Sequence, residues 1–143
     1  MATIKKSIKI NAPVEKVFEY TTEPSNLPEI WPSLLENKGV ERLPNGGYKT
    51  RSIYKMAGMR FDITSIDTEF IPNQRVVTKT EEVVESEMIW EYQSEGEATK
   101  VTFRAEYIVP IPLLGKLAEA FIVKQNENEA ETLLANLKAR MEA

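Results

Sequence analysis

The feature that most constrains this chain is its end: after Val109-Pro110-Ile111-Pro112 the pattern turns helical and stays so to the C-terminus. About 30 residues at 1.5 Å each give a helix of roughly 45 Å, long enough to cross a whole small domain. From Leu34 onward the chain reads as strands broken by turn signals. The signals are Pro44-Asn45-Gly46-Gly47, Ala57-Gly58, Ile71-Pro72-Asn73 and Ser94-Glu95-Gly96-Glu97, and they bound about six strands in up-and-down order.

The terminal helix is irregular where a gripped helix should be smooth. At about 100° per residue, Leu114, Leu117, Ala118 and Phe121 form one apolar face, and Ala130, Leu133, Leu134, Leu137 and Met141 form another rotated well away from it. Between them stand six polar residues in succession, Lys124-Gln125-Asn126-Glu127-Asn128-Glu129. A stripe interrupted in this way meets space, water or solvent. Ile122, Gln125, Asn126 and Glu129 fall between the two faces and are expected to look into a cavity, where Gln125 or Asn126, with a strand tyrosine, would anchor the polar end of a ligand. A kink or an exposed portal is the competing reading.

Several strands have a legible inner face. Tyr48, Thr50, Ser52, Tyr54 and Met56 oppose Lys49, Arg51 and Lys55; Ser86, Met88, Trp90 and Tyr92 oppose Glu85, Glu87 and Glu91; Val101, Phe103, Ala105, Tyr107 and Val109 oppose Lys100, Thr102, Arg104 and Glu106. The stretch from Met59 to Phe70 starts with Phe61 and Ile63 in phase and continues with Ile66 and Phe70, a slip that a bulge would produce. At the N-terminus Ile4, Lys6, Ile8 and Ile10 share a face, a half-buried strand that ends at Asn11-Ala12-Pro13. Asn11 or Ala12 can cap a helix there, with Pro13 in its first turn; Val14, Val17 and Phe18 continue it to about Tyr20. Leu27, Ile30 and Trp31 mark a second, very short helix that Pro32 stops.

Composition excludes several kinds of chemistry. The 143 residues contain no cysteine, hence no disulfide, thiolate nucleophile or thiolate metal site, and no histidine, the commonest general base and neutral metal ligand. No metal and no cofactor is expected, and catalysis would have to rest on carboxylates, Tyr, Lys or Arg. A net charge of −4 lacks the basic stripe of a nucleic-acid binder. No apolar run approaches the roughly 18 residues that span a bilayer, and no apolar signal segment follows Met1-Ala2-Thr3-Ile4-Lys5-Lys6. One domain over residues 1–143, a cytoplasmic location and no stable membrane insertion are therefore expected.

The order of strand, Asn11-Ala12-Pro13-Val14-Glu15-Lys16-Val17-Phe18, the Pro24 to Pro32 segment with Trp31, a six-strand meander and one long terminal helix resembles the START-like superfamily, also called SRPBCC. Within it the nearest likeness is to the polyketide cyclase/dehydrase and lipid-transport group. Its sharpest piece runs from Ile10 to Phe18. The resemblance covers essentially the whole chain and implies an α+β helix-grip fold: a curved antiparallel sheet of about seven strands, two short helices after the first strand, and a cavity between the sheet and the C-terminal helix. Members include lipid and hormone carriers, aromatase/cyclases, ring-hydroxylase subunits, quinone-binding proteins and chaperone activators, so membership leaves function open.

The inner faces carry many hydroxyls, Tyr48, Thr50, Ser52, Tyr54, Thr78, Thr80, Ser86, Tyr92 and Tyr107, which a close-packed core would avoid, because an unpartnered buried hydroxyl costs about 1 to 3 kcal/mol. They line a cavity or bond to backbone near strand ends. Met56, Phe61, Met88, Trp90 and Phe103 are either core or an adaptable apolar wall. The expected ligand-binding set is Tyr54, Met56, Phe61, Met88, Trp90, Tyr92, Phe103, Tyr107, Phe121, Ile122, Gln125 and Asn126; catalytic residues are not identified. Glu81 and Glu82 face opposite ways on a strand, and the run Glu81 to Glu87 reads as a solvated edge. Asp67 and Glu69 share a face beside the suspected bulge, so one is a candidate inward acid. The segment Ile108 to Leu114 is a pocket lid, a membrane or partner contact, or core. The leading expectation is binding or transport of a hydrophobic small molecule such as a lipid, isoprenoid quinone or polycyclic aromatic. The alternatives are a polyketide cyclase/dehydratase-like enzyme and a protein-interaction module with a vestigial cavity and a protein partner.

Overall fold

The computed structural model describes residues 2–56, 58–80, 85–108 and 115–143, and of 115–118 the backbone only. In chain order the elements are β1 (Ala2–Ile10), α1 (Val14–Thr22), a 3-10 turn (Pro24–Asn26), α2 (Leu27–Ile30), β2 (Leu34–Arg42), β3 (Tyr48–Met56), β4 (Met59–Ile71), β5 (Arg75–Thr80), β6 (Ser86–Glu95), β7 (Ala98–Tyr107) and α3 (Gly115–Glu142). The seven strands form one curved antiparallel sheet in the order β1-β7-β6-β5-β4-β3-β2. This is the helix-grip arrangement.

Local chemistry explains the elements. In β1, Ile4 and Ile10 are buried while Lys5, Ser7 and Lys9 face water, the period-two pattern of a strand with one wet face. In α1 the buried residues Val14, Val17, Phe18 and Thr21 recur at helical spacing. Pro13 itself is the cap, and its carbonyl accepts from the Lys16 and Val17 amides, so the helix starts one residue later than expected. Trp31 leaves α2 with extended dihedrals (φ −111°, ψ 100°), the conformation that a following proline favours. The β3–β4 hairpin turns on Gly58 (φ 78°), and the β4–β5 hairpin on Asn73 (φ 63°), a residue tolerated in the left-handed region.

Irregular pairing bends the sheet. β2, the edge strand, has register shifts between Leu34 and Glu36 and between Asn37 and Gly39, and a third shift lies in β4 between Asp67 and Glu69. The slip expected in β4 is therefore present, but it falls after Ile66, which stays on the outer face at 40% exposure. The extra residue also separates the two acids: Asp67 points inward, whereas Glu69 lies outside against Arg75, 3.4 Å away. The expectation that they share a face is corrected.

Helix α3 packs across the sheet through Ile122, Ala130, Leu133, Leu134, Leu137 and Met141, with Leu133 and Leu137 wholly enclosed. Complete burial of such a leucine stabilises the fold by roughly 1.5–3 kcal/mol. Polar side chains of the same helix hold the α2 segment: Glu129 accepts from the Ser33 amide (3.0 Å) and hydroxyl, the Asn136 amide donates to the Ile30 carbonyl (3.0 Å), and Arg140 pairs with Glu29 (3.2 Å). Among the described residues, no helix is long and apolar enough to cross a membrane. Glu81, Glu82 and the segment 109–114 lie outside the described residues, as do the side chains of Leu117 and Ala118.

Candidate functional site

Among the described residues two cavities, rather than the one expected, lie on the inner side of the sheet. The first sits against α3, between Asn126, Glu129, Ala130 and Leu133 on the helix and Ile4, Met56, Phe103 and Tyr107 on the strands, with about 60 Å³ of room for water centres. The second lies under α1 and α2, and among the described residues none from α3 lines it; Thr21, Asn37, Tyr48, Ser52, Asp67, Thr78 and Tyr92 contribute to its wall, and it has about 90 Å³. Since roughly 10–15 Å³ of such room accepts one water, each is large enough for several. Four residues border both cavities, Trp31, Tyr54, Ile63 and Met88, and so form the partition between them.

The partition is aromatic at its centre. Trp31 meets Tyr54 edge-on at 5.9 Å between centroids and Phe103 at 5.6 Å, while Trp90 packs on Phe103 at 5.0 Å. Edge-to-face contacts of this kind are worth about 0.5–1.5 kcal/mol each beyond area burial, and they fix the rings that bound the space. Met88 supplies the deformable part of the wall.

Most of the inward hydroxyls are paired. The Tyr92 and Thr21 hydroxyls are 2.6 Å apart; because Thr21 gives its own proton to the carbonyls of Val17 or Phe18, Tyr92 is the donor. Ser65 pairs with Thr80 (2.9 Å), Ser52 donates to Asn37 (2.9 Å), and the Asn126 amide donates to the Tyr107 hydroxyl (2.9 Å). Among the described residues no buried side-chain N or O lacks a partner. The fully buried hydroxyls thus stay inside because each finds a mate.

Ionisation follows enclosure. Burial pushes the Tyr54 phenol well up, the Glu129 carboxylate adds to the shift, and the Trp31 indole N–H works against both. Tyr92 is likewise raised by burial against the pull of Thr21, and Tyr107 by burial against the Asn126 hydrogen bond. These three phenols are neutral hydrogen-bonding groups at ordinary pH. Asp67 is raised by desolvation, opposed by the Thr78 hydroxyl at Oδ1 (2.7 Å) and the Tyr48 amide at Oδ2 (2.9 Å). Gly47 permits this packing, since a Cβ there would lie 2.5 Å from Cβ of Asp67.

Of the twelve residues expected at the site, Tyr54, Met56, Met88, Phe103, Tyr107 and Asn126 line the first cavity, and Trp90 and Tyr92 line the second. Phe61 is half-buried against the core and Ile122 is buried, but neither borders a cavity. Two expectations are corrected: Phe121 is 64% exposed and Gln125 is exposed. Each stands next in sequence to an inward residue, Ile122 or Asn126, and one step along a helix turns the side chain by about 100°. Glu129, expected to look into a cavity, lines the first, whereas Thr21, Trp31, Asn37 and Leu133 are cavity groups that the sequence did not single out. Thr21 was within reach of sequence reasoning, because it continues the spacing of Val14, Val17 and Phe18.

The sequence profile described as polyketide cyclase/dehydrase and lipid transport matches residues 1–142. Among solved structures, the chain is similar to a START superfamily protein from Mycobacterium smegmatis (16% identity, TM-score 0.82, covering 98% of this chain and 97% of that one). It is also similar to TTHA0849 from Thermus thermophilus (23% identity, TM-score 0.78, 98% and 97% covered). A further likeness is to the di-domain ARO/CYC StfQ from the steffimycin biosynthetic pathway (18% identity, TM-score 0.77), of which the chain covers half, 50%, while 98% of its own length is matched. At these identities the likenesses show the fold. No curated protein matches the sequence.

Proposed function

The chain belongs to the polyketide cyclase/dehydrase and lipid transport family, and from that premise we propose that it binds a hydrophobic small molecule between the sheet and its helices. The observation that carries this reading is the pair of cavities that share four wall residues, Trp31, Tyr54, Ile63 and Met88. A ligand that turned Met88 or Tyr54 aside would join the two spaces. Burying about 200 Å² of apolar ligand surface would contribute roughly 5 kcal/mol at about 25 cal/mol per Å². The Asn126–Tyr107 pair at the first cavity would orient a polar end, since the Tyr107 hydroxyl accepts from Asn126 and keeps its own proton for a ligand.

The experiment is direct because the only two tryptophans are both at the cavities, Trp31 at both and Trp90 at the second. Native mass spectrometry after gentle purification should reveal a co-purified apolar molecule, and its removal and return should change tryptophan emission saturably. Protein that carries nothing and whose emission responds to no lipid, quinone or polycyclic aromatic would overturn the reading.

A second reading, a cyclase or dehydratase acting on a polyketide-like substrate, is favoured by one observation: each cavity has a carboxylate in its wall, Glu129 in the first and Asp67 in the second. General acid–base work needs such a group within hydrogen-bond reach of the substrate. The interaction-module reading calls for a filled interior, and the cavities speak against it.

A further inference from the structure

We propose that Asp67 sets the ligand's charge class: the second cavity receives an uncharged hydroxyl-bearing end of an apolar molecule and turns away carboxylate-, phosphate- or sulfate-headed ones. This inference deepens the small-molecule reading and rests on it. Asp67 projects from the bulge of β4 into the second cavity, and each of its oxygens accepts one protein hydrogen bond, from Thr78 at 2.7 Å and from the Tyr48 amide at 2.9 Å. A carboxylate has about four acceptor sites, so both oxygens keep capacity for a donor from the ligand. Phenols and alcohols bring that donor; a ligand anion brings only acceptors and a like charge.

No cation among the described wall residues offsets the acid. Among the described residues no lysine or arginine lines either cavity, and the other ionisable group that does, apart from tyrosines, is the Glu129 carboxylate in the first. Arg42 stands behind the wall and does not line the cavity: its guanidinium lies over the Tyr48 ring, 4.8 Å from the centroid, and donates to the Tyr48 hydroxyl at 3.0 Å. The remaining polar groups of the second cavity are hydroxyls, one amide and the indole N–H groups of Trp31 and Trp90, all uncharged, and several are already bonded to one another, as in Tyr92 with Thr21 and Ser52 with Asn37. An anionic head would be stripped of water, find no cation and face a carboxylate, which is unfavourable at any effective dielectric a protein interior offers.

The test uses three two-ring probes of the same shape, naphthalene, 2-naphthol and 2-naphthoate, titrated calorimetrically into the wild-type protein and Asp67→Asn at neutral pH. Wild-type protein should bind 2-naphthol at least about tenfold more tightly than 2-naphthoate, and Asp67→Asn should narrow that gap at least about threefold by accepting the anion better. Naphthoate binding as tight as naphthol in the wild type, or a gap unchanged in Asp67→Asn, would overturn the assignment of charge selection to Asp67 while leaving the cavity reading intact. If neither naphthalene nor naphthol bound, the cavity reading would fall and this inference with it. The wild-type comparison needs no variant, so it decides the matter even if Asp67→Asn folds poorly.

Discussion

Replacing Ala130 with leucine adds three carbon atoms to the inner face of α3, at a residue that is 4% exposed and borders the first cavity. Alanine and leucine are close in helix propensity, so the backbone contributes little to the outcome. The about 60 Å³ of room there accommodates roughly four waters' centres, enough for an isobutyl group in place of a methyl. Three carbons entering apolar space at about 0.8 kcal/mol each give about 2.4 kcal/mol, from which fixing the leucine rotamer subtracts about 0.5–1 kcal/mol. A net gain of about 1.5 kcal/mol corresponds to a rise in Tm of about 5 °C for a chain this long. Urea unfolding followed by circular dichroism, with calorimetry alongside, measures both, and Leu137→Ala, which removes a wholly enclosed side chain, serves as the packing control with an expected loss of about 2–5 kcal/mol. The same leucine should weaken binding of any ligand that occupies the first cavity. A loss of about 1–3 kcal/mol for Ala130→Leu, the usual result of overfilling a packed core, would refute the reasoning.

Asp67→Asn should gain stability relative to the wild type as pH is raised. Burial lifts the Asp67 carboxyl above its ordinary 3.8, so what it contributes is fully present below the unfolded value and is lost as pH climbs through the folded one. Urea midpoints across that range check this, and a difference between the two proteins that stays constant or shrinks would contradict it. Glu142 has the opposite sign: the Asn11 amide, and after it Lys138, hold its carboxyl below the ordinary 4.5. Its contribution is therefore present above that value and fades as pH falls, and Glu142→Gln should flatten the acid limb of the same midpoint profile. Gly47→Ala must move Asp67 or the hairpin, because the new Cβ would lie 2.5 Å from Cβ of Asp67. A loss of about 1–3 kcal/mol in urea unfolding is expected, whereas wild-type stability would show that the approach is not close.

Periodicity made the fold legible because one face of each element is wet. The alternation of Ile4 to Ile10, the Val14, Val17, Phe18 spacing and the turn signals at Asn45-Gly46-Gly47, Gly58, Asn73 and Gly96 all fall where strands, helix and hairpins form. The site was legible only in part. Tyr54, Met88, Trp90 and Phe103 lie on inner faces that alternation reveals, but nothing in alternation tells wall from core. Phe121 and Gln125 were misplaced because the phase of a helix is set by what it packs on, and here the Asn126–Tyr107 bond and buried Ile122 turn their neighbours outward. The bulge was visible as a slip of phase, but its place was not: one residue's difference puts Asp67 inside and Glu69 outside. The division into two cavities depends on long-range contacts of Trp31 with Tyr54 and Phe103, which no local pattern encodes.

Xenon under pressure enters apolar voids without demanding polar partners, and diffraction from a pressurised crystal locates it. The account predicts ordered xenon between Ala130 and Leu133 on α3 and Phe103 and Met56 on the strands, the wall of the first cavity. Density there that stays empty, with the helix and sheet side chains meeting in direct contact, would contradict the claim that this fold encloses space for a guest.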